Sequence, residues 1–268
     1  MKILLHNYNI CYYKHKLFRK IHRRKGRIMG ILTTGNLLFF VAILIANIIQ
    51  GLTGFAGSLL AMPPAINLQG LVTAKVAVNT FGLLSSTILF VQNYKKIQKK
   101  EALKIIVLMG AGLVTGIWLT NIFTSDILLK IYAAFIILVA LKEMFYKGKL
   151  DFNDIALIII VFVAGIFQGL FVSGGPLLIL YVSKKFENSD EMRGTLGLIW
   201  IMMNGSLMVS QIMQGQFTPH NIIITLVGIP AVFIGVAIGS RLVKKLDREK
   251  FLKVVYVLLI ISALTLLR

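Results

Sequence analysis

Gln50-Gly51-Leu52-Thr53-Gly54-Phe55-Ala56-Gly57-Ser58 and Gln168-Gly169-Leu170-Phe171-Val172-Ser173-Gly174-Gly175-Pro176 are two small, polar, glycine-rich stretches, each set inside a long apolar run. Glycine and proline interrupt helices. At membrane depth such interruptions are tolerated only where the freed backbone groups face protein or a polar cavity. The two stretches are also copies. Ile48-Ile49-Gln50-Gly51-Leu52 matches Ile166-Phe167-Gln168-Gly169-Leu170, and Gly57-Ser58-Leu59-Leu60 matches Gly175-Pro176-Leu177-Leu178, both at an offset of 118. The same offset pairs Lys75 with Arg193 and Gly110 with Gly228. Gly112-x-x-x-Gly116 pairs with Gly235-x-x-x-Gly239, and Lys130 with Lys253, at an offset of 123. A duplicated bundle with paired broken segments is a recurrent design in secondary transporters.

The apolar runs around these stretches cover 36–66, 76–93, 103–122, 127–145, 155–181, 195–213, 221–240 and 251–267. Most are about 18–25 residues long, the length that crosses about 30 Å of hydrocarbon at 1.5 Å per residue. Hydrophobic residues make up 57% of the 268. A soluble domain of this size could not bury that much apolar surface. Polar–apolar alternation is absent, which argues against a β-barrel. The expected fold is an all-α polytopic integral membrane protein. It has about eight transmembrane segments in two internal repeats, residues 35–147 and 148–268, with a broken or re-entrant first segment in each.

The chain is very basic, with 29 Lys+Arg against 10 Asp+Glu. In a soluble protein this would point to nucleic acid. Here the cations sit between apolar runs, where they act as signals for the cytoplasmic face, so no nucleic-acid partner is expected. Residues 1–34 read as a basic cytoplasmic tail. Residues 1–28 either contact anionic lipid or precede a true start at Met29. Loops 95–104, 142–149 and 241–250 are basic, whereas 121–126 and 214–220 carry almost no positive charge. Eight simple passes from a cytoplasmic N-terminus would put 241–250 outside. The contradiction is removed if 155–181 enters and returns, or crosses as two short pieces, which would invert the halves. The expected location is the cell membrane, multi-pass.

Several chemistries are missing. There is no phosphate-cradling Gly-x-x-x-x-Gly-Lys-Ser/Thr loop, no His-Glu-x-x-His and no Gly-x-Ser-x-Gly. Glu101, Asp126, Glu143, Asp151, Asp154, Glu187, Asp190, Glu191, Asp247 and Glu249 all lie in loops or at segment ends. No carboxylate relay, metal site, cofactor or enzyme activity is therefore expected. Cys11 is the single cysteine, which excludes an intrachain disulfide.

The two stretches supply the expected substrate site. Pro176 suits the first turn of a new half-helix. A helix restarted there exposes backbone N–H groups and a positive dipole end, which bind anions without charged side chains. The residues expected to bind substrate are Gln50, Gly51, Thr53, Gly54, Gly57, Ser58, Gln168, Gly169, Ser173, Gly174, Gly175 and Pro176. Lys75, Arg193 and Asn204 join them. Plainer roles stand beside these. Gly112, Gly116, Gly235 and Gly239 read as helix packing, Lys75 and Arg193 as interfacial snorkelling, and Asn204 as a bond to a neighbouring helix.

At these stretches the sequence resembles the sulfite exporter TauE/SafE family, also described as toluene-sulfonate uptake permeases. The resemblance runs from about residue 36 to 267. It rests on Ser173-Gly174-Gly175-Pro176, on Met62-Pro63 downstream of the first stretch, and on the two Gly-x-x-x-Gly pairs. Ala56 and Ser58 stand where the family usually has glycines. The resemblance implies a secondary transporter or facilitator of small sulfur oxoanions such as sulfite and sulfonates. The inside-negative potential would drive export of an uncoupled monoanion. A metal or other cation transporter, and a non-transporting membrane scaffold, are the alternatives. The sequence leaves the oligomeric state open.

Overall fold

The computed structural model describes residues 34–53, 56–145, 152–186, 188–242 and 248–267. The basic tail and Gly54 lie outside the described residues. The helices are α1 (Thr34–Thr53), α2 (Gly57–Gln69), α3 (Leu71–Asn93), α4 (Lys99–Leu119), α5 (Ser125–Phe145), α6 (Asp154–Phe171), α7 (Gly175–Lys185), α8 (Ser189–Met213), α9 (Pro219–Leu242) and α10 (Arg248–Thr265). Among the described residues there is no strand.

The runs 36–66 and 155–181 each divide at their glycine-rich stretch. The chain then folds back. Gln69 at the end of α2 donates to Asn36 Oδ1 near the start of α1, at 2.6 Å. Lys185 at the end of α7 pairs with Asp154 at the start of α6, at 3.1 Å. Each half of the chain thus opens with a helical hairpin whose tip is the glycine-rich stretch. At 1.5 Å per residue, α2 (13 residues) and α7 (11 residues) are about 20 and 16 Å long, too short to span a bilayer alone.

Among the described residues, six helices are long and apolar enough to cross a membrane: α1, α3, α4, α6, α8 and α9. The sequence reading expected about eight. The difference lies in α5 and α10, which are as long but more charged: α5 carries Asp126, Lys130 and Lys142, and α10 carries Arg248, Glu249, Lys250 and Lys253. Large apolar side chains lie exposed on the outside of the bundle, among them Leu103, Val107 and Val114 of α4, and Leu226 and Phe233 of α9. That surface suits lipid and would be untenable in water.

The halves interlock. The first helix of each packs on the fourth helix of the other: α1 on α9, and α6 on α4. Both crossings are made by glycine. A side chain at Gly112 or Gly116 would collide with the carbonyls of Phe162 or Ile166 on α6. One at Gly239 would collide with Ile48 O on α1, and one at Gly235 would meet Leu44 O at 2.8 Å. Leu44 and Ile48 stand 118 positions before Phe162 and Ile166, so the two crossings correspond residue for residue. The packing role read for these four glycines matches this arrangement. Between the crossings, α3 lies against α8. Of the six apolar helices, α3 is the most buried, at 56%.

Polar contacts show which helix ends meet. Gln98, just before α4, donates to Glu191 of α8, and Tyr181 of α7 donates to Glu101 of α4. That end of the bundle carries Lys95, Lys96, Lys99, Lys100, Lys184 and Lys185. At the other end, Thr73 of α3 donates to Asn221 of α9, and Asn67 of α2 donates to Thr265 of α10. Loops 120–124 and 214–218 lie at this second end and carry no charge. The start of α1 lies there too, away from the basic loops.

A glycine with no room for a Cβ should be intolerant, and one facing open space should not be. Gly116→Leu is expected to cost about 1–3 kcal/mol or more through overpacking. Gly205→Ala, with nothing within 4 Å of the added Cβ, should be nearly neutral. Thermal unfolding of the two variants in detergent, beside the parent chain, checks the difference.

Candidate functional site

The hairpin tips approach the centre of the α3–α8 seam, where a cavity of about 30 Å³ is lined by Asn47, Gln50, Gly57, Ser58, Ala61, Val78, Phe81, Gly82, Ser85, Ser86, Gln168, Val172, Trp200 and Asn204. A water needs about 10–15 Å³ measured in this way, so the space suits a small ligand. None of the lining residues carries a charge.

Each glutamine in the paired stretches closes its own hairpin. Gln50 Oε1 accepts from the Gly57 N–H at 2.8 Å, and Gln168 Oε1 accepts from the Gly174 N–H at 3.1 Å. Gly57 and Gly174 are one position out of step with the 118 offset. The second tip is set by Val172, which caps α6 in the left-handed region at φ 56°. A β-branched residue there is strained, by an amount on the order of 1–3 kcal/mol. Its N–H returns to Gln168 O at 2.9 Å.

The amides of Gly57 and Gly174, two of the backbone donors at the tips, are thus paired to glutamine. Trp200 Nε1 is buried with no hydrogen-bond partner. Asn204 accepts from Gln168 Nε2 at 2.8 Å through Oδ1 and from Asn79 through its backbone carbonyl, which leaves Asn204 Nδ2 free among the described residues. Ser58 Oγ is likewise free. Asn47 donates to Ile43 O at 2.8 Å, which leaves its Oδ1 as an acceptor. Ser85 and Ser86 donate to carbonyls of their own helix and present only oxygen lone pairs.

The expected site residues therefore divide. Gln50, Gly57, Ser58, Gln168 and Asn204 line the cavity. Gly51 and Gly169 do not: they are helix-crossing residues, with a Cβ on Gly51 lying 2.7 Å from Val236 O and one on Gly169 lying 2.5 Å from Leu113 O. Thr53 donates to Ile49 O at 2.8 Å and accepts from the Ala56 N–H, holding the first tip. Ser173 shares a 2.7 Å hydrogen bond with the Tyr132 hydroxyl of α5, whose ring stacks on Phe171. Gly174 packs against Ala164 of the same hairpin. Gly175 and Pro176 are buried at the first turn of α7 and do not line the cavity.

Lys75 and Arg193 are exchanged between the halves. Lys75 of α3 donates to Gly169 O at the end of α6, at 3.2 Å. Arg193 of α8 donates to Gly51 O and Leu52 O at the end of α1, at 3.3 and 3.2 Å. Each cation lies on the terminal carbonyls of the other half's broken helix, where the dipole is negative. Neither lines the cavity. The lining residues that the sequence reading missed are Asn47, Ser85, Ser86 and Trp200. Their signal is heptad-like spacing on matched helices: Lys75, Asn79, Gly82, Ser86 and Asn93 stand against Arg193, Gly197, Trp200, Asn204 and Gln211, all at the 118 offset.

A broken-helix bundle around an uncharged, donor-bearing cavity has a family match. The sulfite exporter TauE/SafE family model matches residues 38–266. The chain belongs to that family. It is similar to the Bacillus subtilis (strain 168) protein named "Probable membrane transporter protein YunE", with 25% identity over 81% of this chain and 92% of that protein. It is also similar to the Comamonas testosteroni protein named "Probable inner membrane transporter protein TsaS", with 26% identity over 38% of this chain and 43% of that protein. No solved structure matches the chain. As a TauE/SafE member the chain is a membrane transporter with a small-molecule substrate.

If the two cations hold broken-helix ends, neutralising one should loosen its hairpin. Lys75→Met is expected to destabilise the protein by about 1.5–3 kcal/mol, the range for a hydrogen bond to a charged group, whereas Lys75→Arg should recover most of it. Tm shifts of the two variants read this directly.

Proposed function

We propose that the protein is a uniporter or facilitator for a small, singly charged sulfur oxoanion of the sulfite or sulfonate class. The observation that carries this is the uncharged cavity between the two hairpin tips, with Asn204 Nδ2 and Ser58 Oγ as free donors among the described residues. Neutral donors gain strength where water is excluded. Asn47 Oδ1 suits the hydroxyl of a monoprotonated oxoanion. A dianion in an uncharged cavity would carry a much larger desolvation cost.

Two repeats, 35–147 and 148–268, are the proposed units, each beginning with a re-entrant hairpin and inverted relative to the other. This layout brings the basic loops to one face, which we place in the cytoplasm by the positive-inside rule. Thr34 then sits at the outer face, opposite to the cytoplasmic N-terminus expected from the basic tail. With no carboxylate on the cavity, transport is uncoupled from protons. The membrane potential, about 2.3 kcal/mol per charge per 100 mV, then favours export.

Reconstitution into liposomes with a clamped potential tests the proposal. Sulfite flux should follow the sign of the potential, and Asn204→Leu should raise KM about three- to tenfold by removing one donor. Flux that ignores the potential and follows a pH gradient would refute the uncoupled mechanism. No flux of any oxoanion from folded protein would refute the substrate class and leave the cation transporter or the scaffold.

A further inference from the structure

The α3–α8 seam is unequal on the two sides of the cavity. Toward the basic end it is sealed by glycine: a Cβ on Gly197 would lie 2.9 Å from Phe90 N, and one on Gly194 would lie 2.6 Å from Asn93 O. Toward the uncharged end it holds amides. Asn79 Nδ2 donates to Asn204 O at 3.0 Å and to Gln211 Oε1 at 3.1 Å. The carbonyl of Asn204 requires a donor, so the orientation of Asn79 is fixed, and that of Gln211 follows. Asn79 Oδ1 and Gln211 Nε2 are then left buried without partners among the described residues, on side chains only 0% and 2% exposed. Further out, Gln216 Oε1 is also unpartnered. Buried polar atoms in proteins almost always have a partner, and each orphan implies a ligand or water. Repeat symmetry sharpens the contrast. The counterpart of Asn79 at the 118 offset is Gly197, and that of Gln211 is Asn93, whose amide is satisfied by Leu89 O.

We propose that Asn79 and Gln211 form a second anion station, on a hydrated half-pathway between the cavity and the uncharged end of the bundle. Gln211 Nε2 donates to an oxoanion oxygen. Asn79 Oδ1 accepts from its hydroxyl or from a water moving with it. The glycine-sealed half is the part of the seam that must separate to complete the route. The station rests on the anion-transport reading above, but the half-pathway can be tested without a substrate.

The test is cysteine accessibility with a small water-soluble thiosulfonate, in the full chain carrying Cys11→Ser. Thr124→Cys marks the uncharged end and Lys96→Cys the basic end. Gln211→Cys is expected to react from the same side as Thr124→Cys, and Gly205→Ala, with open space around the added Cβ, should leave that labelling unchanged. A Gln211→Cys thiol that reacts from neither side, or only from the side of Lys96→Cys, would overturn the half-pathway. In liposomes, Gln211→Leu is expected to cut sulfite flux about tenfold, the loss of roughly one hydrogen bond to a charged group. The near-isosteric Gln211→Glu should cut it further by repulsion and lower Tm through the buried carboxylate, whereas Gln211→Leu should keep a Tm close to the parent value. Full flux in both variants would overturn the station. An inactive parent chain with Gln211→Cys still labelled would overturn the sulfite reading while keeping the hydrated seam.

Discussion

The glycine crossings of α1 on α9 and of α6 on α4 are the constraint on which the rest of the structure depends. Lipid supplies no hydrophobic force between helices, so association relies on close packing and polar contacts. Gly112, Gly116, Gly235 and Gly239 let two pairs of backbones touch. Each crossing joins the opening hairpin of one half to the fourth helix of the other. The hairpins are thereby held at opposite ends of one bundle, with their tips directed at its middle. Without that interlock, two short helices of 13 and 11 residues would have no place in a bilayer.

A break in a membrane helix leaves carbonyls and amides that lipid cannot satisfy. This chain satisfies them with its own side chains. Gln50 and Gln168 take amides across the tips, and Thr53 and Val172 complete the turns. Lys75 and Arg193 neutralise the negative ends, each reaching into the other half. The charges are used up on the backbone, so the cavity between the tips stays neutral. On the anion-transport reading proposed above, neutrality favours rapid passage: an anion held by a few neutral donors can leave again, whereas one paired with a lysine would be retained.

Much of this was legible in the chain. The apolar runs identify a helical membrane protein, and the paired Gln-Gly stretches mark where two of its runs are interrupted. The runs 155–181 and 36–66 each divide into two helices, and their re-entry into the membrane is part of the proposed layout. What the offset cannot convey is direction around a helix. Gly51 and Gly57 are six residues apart, yet one faces α9 and the other faces the cavity. Lys75 and Arg193 were matched correctly, but their roles depend on which carbonyls the interlock brings within reach. The cavity walls from α3 and α8 were missed because Ser85, Ser86 and Trp200 look ordinary singly. Only their register against the partner helix gives them meaning. The segment count differed because α5 and α10 carry charges within helices otherwise long enough to span.

Binding in the cavity can be observed without transport. The chain has two tryptophans, Trp118 and Trp200, the first exposed on α4 and the second on the cavity wall. A Trp118→Phe protein in detergent reports from Trp200 alone. Titration with sulfite at a pH where the monoanion is present should give a saturable fluorescence change, and Asn204→Leu should weaken it. A strictly linear response, or the same titration curve after Asn204→Leu, would contradict an anion site between the hairpin tips.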